Sequence, residues 1–236
     1  MPDKTTGHVG DSWVQPEVKR PPRLEMRDVH VWRAWLDVEE QELVALESLL
    51  AHDERERAAR FRFEEHRKRY VVARGILRTI LGDYLAYDPA RIGFEYGEHG
   101  KPRLAEPSGS RIEFNLSHSS NLAVFAIATG CSVGVDVEFI KPGVSCLEIA
   151  ARYFSDEEAM MLRKLSETEM RQKFFELWSE KEARLKALGF GLHFALDQSQ
   201  PGKPQWSVVK LTPAPGYAAA LAVQMTLPLV SQFHFA

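Results

Sequence analysis

Cysteine is nearly absent. Cys131 and Cys146 are the only two among 236 residues, with no Cys-x-x-Cys and no histidine at metal-ligand spacing. That pattern excludes a disulfide scaffold or a zinc finger and leaves two free thiols, as in a reducing cytosol. No stretch approaches the ~18 apolar residues of a membrane span. The longest apolar runs, Leu122–Ala128 and Tyr217–Val223, have the length of buried strands. An excess of one charge is also missing: 30 basic residues stand against 33 acidic ones, a net charge of −3. Nucleic-acid-binding domains tend instead to be basic as a whole. Met1–Arg27 has no apolar core but holds Pro2, Pro16, Pro21, Pro22 and many charges, so a flexible tail is expected there, not a signal peptide. These absences predict a cytoplasmic protein without membrane or nucleic-acid partners.

What is present fits one large domain or two small halves: 44% of residues are hydrophobic and 27% charged. Val29–Leu36 is rich in β-branched and aromatic residues and predicts a strand. Helical spacing follows in Glu40–Leu50 and, over a longer stretch, in His66–Tyr87. Short strands are expected at Ile92–Tyr96, Ile112–Leu116, Leu122–Ala128 and Val133–Phe139. Ser155 and Glu158 have the spacing of a capping box that opens a helix. A long helix is predicted over 167–188, ended by Gly189 and Gly191, before strands return at Trp206–Leu211 and Tyr217–Met225. The order predicts an α+β fold rather than regular βαβ alternation. Each half offers a long helix beside a small antiparallel sheet, with halves expected at 28–120 and 121–236.

Gly134-Val135-Asp136-Val137-Glu138 carries the first chemical signal. Side chains alternate along a strand, so Asp136 and Glu138 share one face and Val135 and Val137 the other. Two carboxylates on one face repel unless a cation or basic group lies between them. Oxygen ligands without cysteine or histidine suit Mg2+ better than zinc, although a solvated strand face has the same pattern. In the segment Trp178–Gly189, Glu182 and Lys186 are one helical turn apart and face the same way. That spacing fits a surface ion pair, and Ser179 with Glu182 fits a second capping box. It also fits a third metal carboxylate with a lysine in reach of a phosphate.

Basic residues run from Arg55 to Arg78, interleaved with Asp53, Glu54, Glu56, Glu64 and Glu65, which fits a solvated helix laced with ion pairs. The triplet Arg67, Lys68 and Arg69 has no acid after it and is the better candidate for an anion contact. Gly100-Lys101-Pro102 is a turn presenting a lysine, and Asn115-Leu116-Ser117-His118-Ser119 closes a strand with groups that could donate to a phosphate.

Taken together and in order, Gly100-Lys101-Pro102, FNLSHS at Phe114–Ser119, GVDVE at Gly134–Glu138 and WSEKEARLKALGFGL at Trp178–Leu192 resemble the Sfp-type 4′-phosphopantetheinyl transferases. IAARYFSDE at Ile149–Glu157 also looks like that family's linker. The resemblance spans roughly Val29 to Leu192. It implies two pseudo-symmetric α+β halves with coenzyme A in the cleft between them, and Mg2+ held by Asp136, Glu138 and Glu182. It implies Lys186 as the catalytic lysine, with Glu182 acting directly or through water. Ser117 and His118 would hold the 3′-phosphate region of coenzyme A, Lys101 and Pro102 would meet the nucleotide, and Arg57 and Arg69 would be further contacts. The partner would be an apo acyl or peptidyl carrier protein of fatty-acid, polyketide or non-ribosomal peptide synthesis, and the enzyme a monomer. The same carboxylates would also serve a magnesium-dependent hydrolase of nucleotide diphosphates. A non-catalytic coenzyme A-binding or carrier-binding module is the remaining alternative; it predicts loss of at least one of Asp136, Glu182 or Lys186, and all three are present.

Overall fold

The two longest helices and the strands beside them set the architecture. The computed structural model describes residues 6–8, 13–14, 21, 23–189 and 206–235. In chain order the elements are β1 (Thr6–His8), β2 (Asp28–Trp35), α1 (Glu40–Ser48), α2 (His52–Ala59), α3 (Glu64–Leu85), β3 (Gly93–Tyr96) and β4 (Pro102–Glu106). They continue with β5 (Ile112–Ser119), β6 (Leu122–Thr129), β7 (Val133–Phe139), α4 (Cys146–Tyr153), α5 (Asp156–Leu162), α6 (Glu167–Leu188), β8 (Ser207–Leu211), β9 (Tyr217–Val223) and β10 (Leu229–His234).

Two four-stranded sheets form, in the orders β10-β2-β6-β5 and β1-β8-β9-β7, with β3 and β4 as a separate hairpin. Alternation assigns each strand's faces. In the first sheet Trp32, Ala34, Phe114, Phe125 and Ile127 pack under α3 through Val72, Ile76 and Ile80. The opposite face, Val29, Val31, Leu122, Val124 and Ala126, meets Val133, Val135, Val137, Val209, Leu221 and Val223 of the second sheet. β6 is covered on both faces, which accounts for the unbroken apolar run Leu122–Ala128. On the far side of β9, Ala220 and Ala222 leave room for Ala183 and Ala187 of α6. The layers are therefore α3, sheet, sheet, α6. This is the expected α+β fold.

Some expectations change. The sheets are mixed: β10 joins β2, and β1 joins β8, in parallel at the sheet edges. β4 and β10 lie outside the strands read from the sequence. The expected division at 120/121 falls in the turn between β5 and β6, two strands paired along their whole length. Within the expected tail 1–27, Thr6–His8 pair with β8 and Val14 bridges to Phe233, so these pieces are held on the sheets; most of that segment lies outside the described residues. So do Phe190–Leu192, the end of the fourth motif. α6 runs unbroken through Ser179, which is buried and donates to the Phe175 carbonyl at 2.8 Å, so no second capping box forms there. The boxes that do form are Ser155–Glu158 at α5 and Ser166–Glu169 at α6.

Candidate active site at the seam between the two sheets

β5 and β7 are both edge strands, one from each sheet. An edge strand has backbone N–H groups without a partner, and here the polar side chains of β5 supply it. Asn115 Oδ1 accepts from Val135 N at 2.9 Å, Ser117 Oγ from Val137 N at 3.4 Å, and Ser119 Oγ from Phe139 N at 3.1 Å. The polar period of two in Asn-Leu-Ser-His-Ser is thus a side-chain zipper joining the two halves. It is also where the chemistry collects.

On β7, Val135 and Val137 are core, and Asp136 and Glu138 turn the other way, as alternation predicts. Ser117 Oγ donates to Asp136 Oδ1 at 3.0 Å and Ser119 Oγ to Glu138 Oε2 at 3.0 Å. From α6, Lys186 Nζ donates to the same Asp136 oxygen at 2.7 Å and to Ser117 Oγ at 2.8 Å. Lys186 therefore reaches across to the strand instead of pairing with Glu182 along its own helix. The second oxygen of Asp136, Oδ2, is buried without a hydrogen-bond partner. A buried carboxylate oxygen left so is costly unless something else binds there.

The three carboxylates affect one another. Desolvation, then the neighbouring Asp136 and Glu138 charges, push the Glu182 carboxyl up to about 7 against the opposing pull of Lys186. Glu138 is raised by desolvation and then by Asp136. In both, burial is the larger cause and repulsion between the carboxylates adds to it. Among the described residues no group of three His, Cys, Asp or Glu side chains is placed to hold a metal ion by itself. Asp136 and Glu138 share one face of β7, and Glu182 on α6 is near enough to feel both charges.

Cations gather on the α3 side. His118 is exposed, yet partial desolvation, followed by the charges of Lys186, Arg69 and His66, holds its pKa below the ordinary histidine value. His66 is a neighbour that the sequence reading missed; it stands one turn before Arg69 on α3. Arg69 itself is paired with Glu65 at 2.6 Å.

Other expected contacts stand elsewhere. Arg67 is held by Glu64 and Glu47, and Lys68 by Glu40, so these two residues of the triplet are neutralised by carboxylates from α3 and α1. Arg57 lies over the Tyr70 ring, 5.6 Å from its centroid. Pro102 opens β4, opposite Tyr96. Lys101 turns inward, and its Nζ donates to two backbone carbonyls, Val133 at 2.9 Å and Ala187 at 3.1 Å. Glu54 is buried between Arg74 and Arg78. Its oxygens accept from both Nε atoms at 2.6 Å and from Ala51 N at 2.9 Å. Those two arginines are structural.

Comparison with known proteins finds relatives over both sheets. Residues 33–130 match the family "4′-phosphopantetheinyl transferase, N-terminal" and residues 132–223 the "4′-phosphopantetheinyl transferase superfamily". The matches meet between β6 and β7. The 4′-phosphopantetheinyl transferase HetI of Nostoc sp. is 40% identical over 217 residues, covering 86% of this chain and 92% of that protein. A putative 4′-phosphopantetheinyl transferase of Synechocystis sp. is 32% identical over 71% of this chain and 68% of its own length. The Sfp protein of Bacillus subtilis is 33% identical over 64% and 65%. With four layers, a polar seam and these similarities in hand, the chain belongs to the 4′-phosphopantetheinyl transferases, enzymes of the Sfp-type superfamily.

Proposed function

We propose that this protein transfers the 4′-phosphopantetheine arm of coenzyme A to a serine of an apo acyl or peptidyl carrier protein, with Mg2+ as cofactor, releasing adenosine 3′,5′-bisphosphate. One observation carries the reading. At the β5–β7 seam an unpartnered Asp136 oxygen, two proton-hungry carboxylates and the Lys186 ammonium meet beside His118 and Arg69. Such a face is complemented by a hard cation carrying a diphosphate. Magnesium is usually held by one or two carboxylates and completed by substrate phosphates, and the unpartnered Asp136 oxygen offers it a ligand. Asp136, Glu138 and Glu182 would hold it.

Once bound, the cation would offset the pyrophosphate charge and favour attack at phosphorus. Glu182, with a pKa of about 7, is suited to accept the serine proton near neutral pH, directly or through water. The serine oxygen then bonds to the β-phosphorus, and the bond from that phosphorus to the bridging oxygen breaks. The electron pair leaves with adenosine 3′,5′-bisphosphate. Lys186 moves its donation from Asp136 to the leaving phosphate, stabilising charge as it develops. Ser117 keeps Asp136 and Lys186 aligned, and His118 with Arg69 receives the 3′-phosphate. Arg57 would have to leave the Tyr70 ring to make a further coenzyme A contact. The two free thiols suit a cytoplasmic enzyme, and a polar seam built from strands of one chain suits a monomer. Among the described residues no helix is long and apolar enough to cross a membrane.

The test is intact-mass analysis of apo carrier proteins incubated with this protein, coenzyme A and Mg2+, with and without EDTA. The expected result is a gain of one phosphopantetheine arm, lost with EDTA and lost in Glu182→Gln. Breakdown of coenzyme A without any gain would identify a hydrolase and overturn the proposal.

A further inference from the structure

The contact between β7 and α6 has no room in it. At Gly134 an added Cβ would stand 2.8 Å from Ala187 Cα and closer still to the Ala183 carbonyl and the Ala187 nitrogen. Strand backbone therefore rests directly on helix backbone, two residues before Asp136 and one residue after Lys186. Beside this point the Lys101 side chain arrives from the β3–β4 turn of the other half. Its ammonium donates to Val133 O, the residue before Gly134, and to Ala187 O in the last turn of α6. Carbonyls in that last turn have no partner within the helix.

We infer that Lys101 is a positioning residue for the transfer: by bridging the Val133 and Ala187 carbonyls it fixes where α6 sits along β7, and so the reach of Glu182 and Lys186 to Asp136 and Glu138. The inference rests on the proposed function. It differs from the role implied by resemblance, because a lysine tied to two carbonyls is not free to meet the nucleotide. Its surroundings agree with a tied lysine. Burial lowers its pKa to about 8, with Glu113 opposing and Arg103 adding to the shift.

The experiment compares wild type, Lys101→Met and Lys101→Arg for kcat and for the KM of coenzyme A in carrier modification. For Lys101→Met, kcat should fall by about tenfold or more while KM stays within about twofold, since misplacement by a fraction of an ångström slows chemistry without removing a ligand contact. Lys101→Arg, which keeps charge and donors, should recover part of kcat. A KM raised about tenfold with kcat intact would make Lys101 a nucleotide contact and overturn the inference; so would two unchanged constants. Amide hydrogen exchange at 185–189 gives a second readout that does not depend on turnover. Protection should fall in Lys101→Met, or in Lys101→Gln where the Met variant does not fold, and fall less in Lys101→Arg; unchanged protection in the neutral variant would overturn the inference. If the wild type modifies no carrier, the functional proposal fails, while the exchange data still decide whether Lys101 holds α6.

Discussion

Replacing Gly134 with alanine adds one methyl group at the point where β7 and α6 touch. The new Cβ would be 2.8 Å from Ala187 Cα and nearer to two other backbone atoms of α6. Backbone atoms cannot rotate away as a side-chain tip can, so the helix must retreat by about 1 Å to restore ordinary contact. Phe174, Phe175, Ala183 and Ala187 hold α6 on the second sheet through Ala218, Ala220 and Ala222, and those contacts resist the move. Overpacking of this kind costs roughly 1–3 kcal/mol, and the backbone clash puts Gly134→Ala at the upper end. The functional effect should be larger than the stability effect suggests. Lys186 bonds Asp136 at 2.7 Å, and a retreat of about 1 Å exceeds the range of a good hydrogen bond. Misplacement on that scale is worth on the order of 100-fold in rate. Thermal unfolding and carrier-modification kinetics at a temperature where the variant is folded would measure both effects. Gly97→Ala is the control, because the nearest atom to its added Cβ is the Lys101 oxygen at 3.7 Å; it should change neither. If Gly134→Ala kept wild-type Tm and kcat, the claim that α6 is seated on bare strand backbone would be refuted.

Three further outcomes are predicted. Glu54→Ala leaves Arg74 and Arg78 buried without their shared carboxylate and should cost about 3–5 kcal/mol; urea unfolding with a near-wild-type midpoint would show that the triad contributes little. His30 is buried, with Nδ1 2.6 Å from the Tyr84 hydroxyl, which also accepts from Trp32 Nε1, so the hydroxyl proton is directed at a neutral imidazole. Burial lowers the His30 pKa below 6.5 against the opposing charge of Asp28. The unfolded chain then takes up a proton that the folded one refuses, so this contribution is present above about pH 6.5 and is lost as pH falls below it. His30→Gln should flatten that part of the stability profile, and an unchanged slope would exclude His30 as its source. For Glu182, held at about 7, proton and cation compete for the same carboxylate. The acid limb of transfer should lie near neutrality and move to lower pH as Mg2+ is raised; a limb indifferent to Mg2+ would separate Glu182 from the metal.

Local order was legible because it depends on neighbours along the chain. Alternation in Gly134–Glu138 assigned Val135 and Val137 to the core and turned Asp136 and Glu138 away from it. Helical spacing in Glu182–Lys186, the Ser155–Glu158 box and the apolar run of β6 were equally readable, since each is set within one or two turns or a single strand. The charged stretch from Arg55 to Arg78 was readable only in outline. Its pattern of mixed signs does not distinguish Arg67, paired with Glu64 of its own helix and with Glu47, from Arg78, buried on Glu54, because Glu47 and Glu54 arrive through the packing of other helices.

The chain by itself determined the α+β layout, the pairing of each half with a long helix, and which carboxylates share a face, because periodicity and side-chain direction are properties of consecutive residues. The tertiary structure alone decided that Lys186 turns to Asp136 instead of Glu182, that Ser117 and Ser119 zip one sheet edge to the other, and that Lys101 reaches carbonyls 32 and 86 residues away. The physical reason is that a hydrogen-bond donor takes the acceptor that packing brings within about 3 Å. That choice is made by whole layers meeting, and no short segment encodes it.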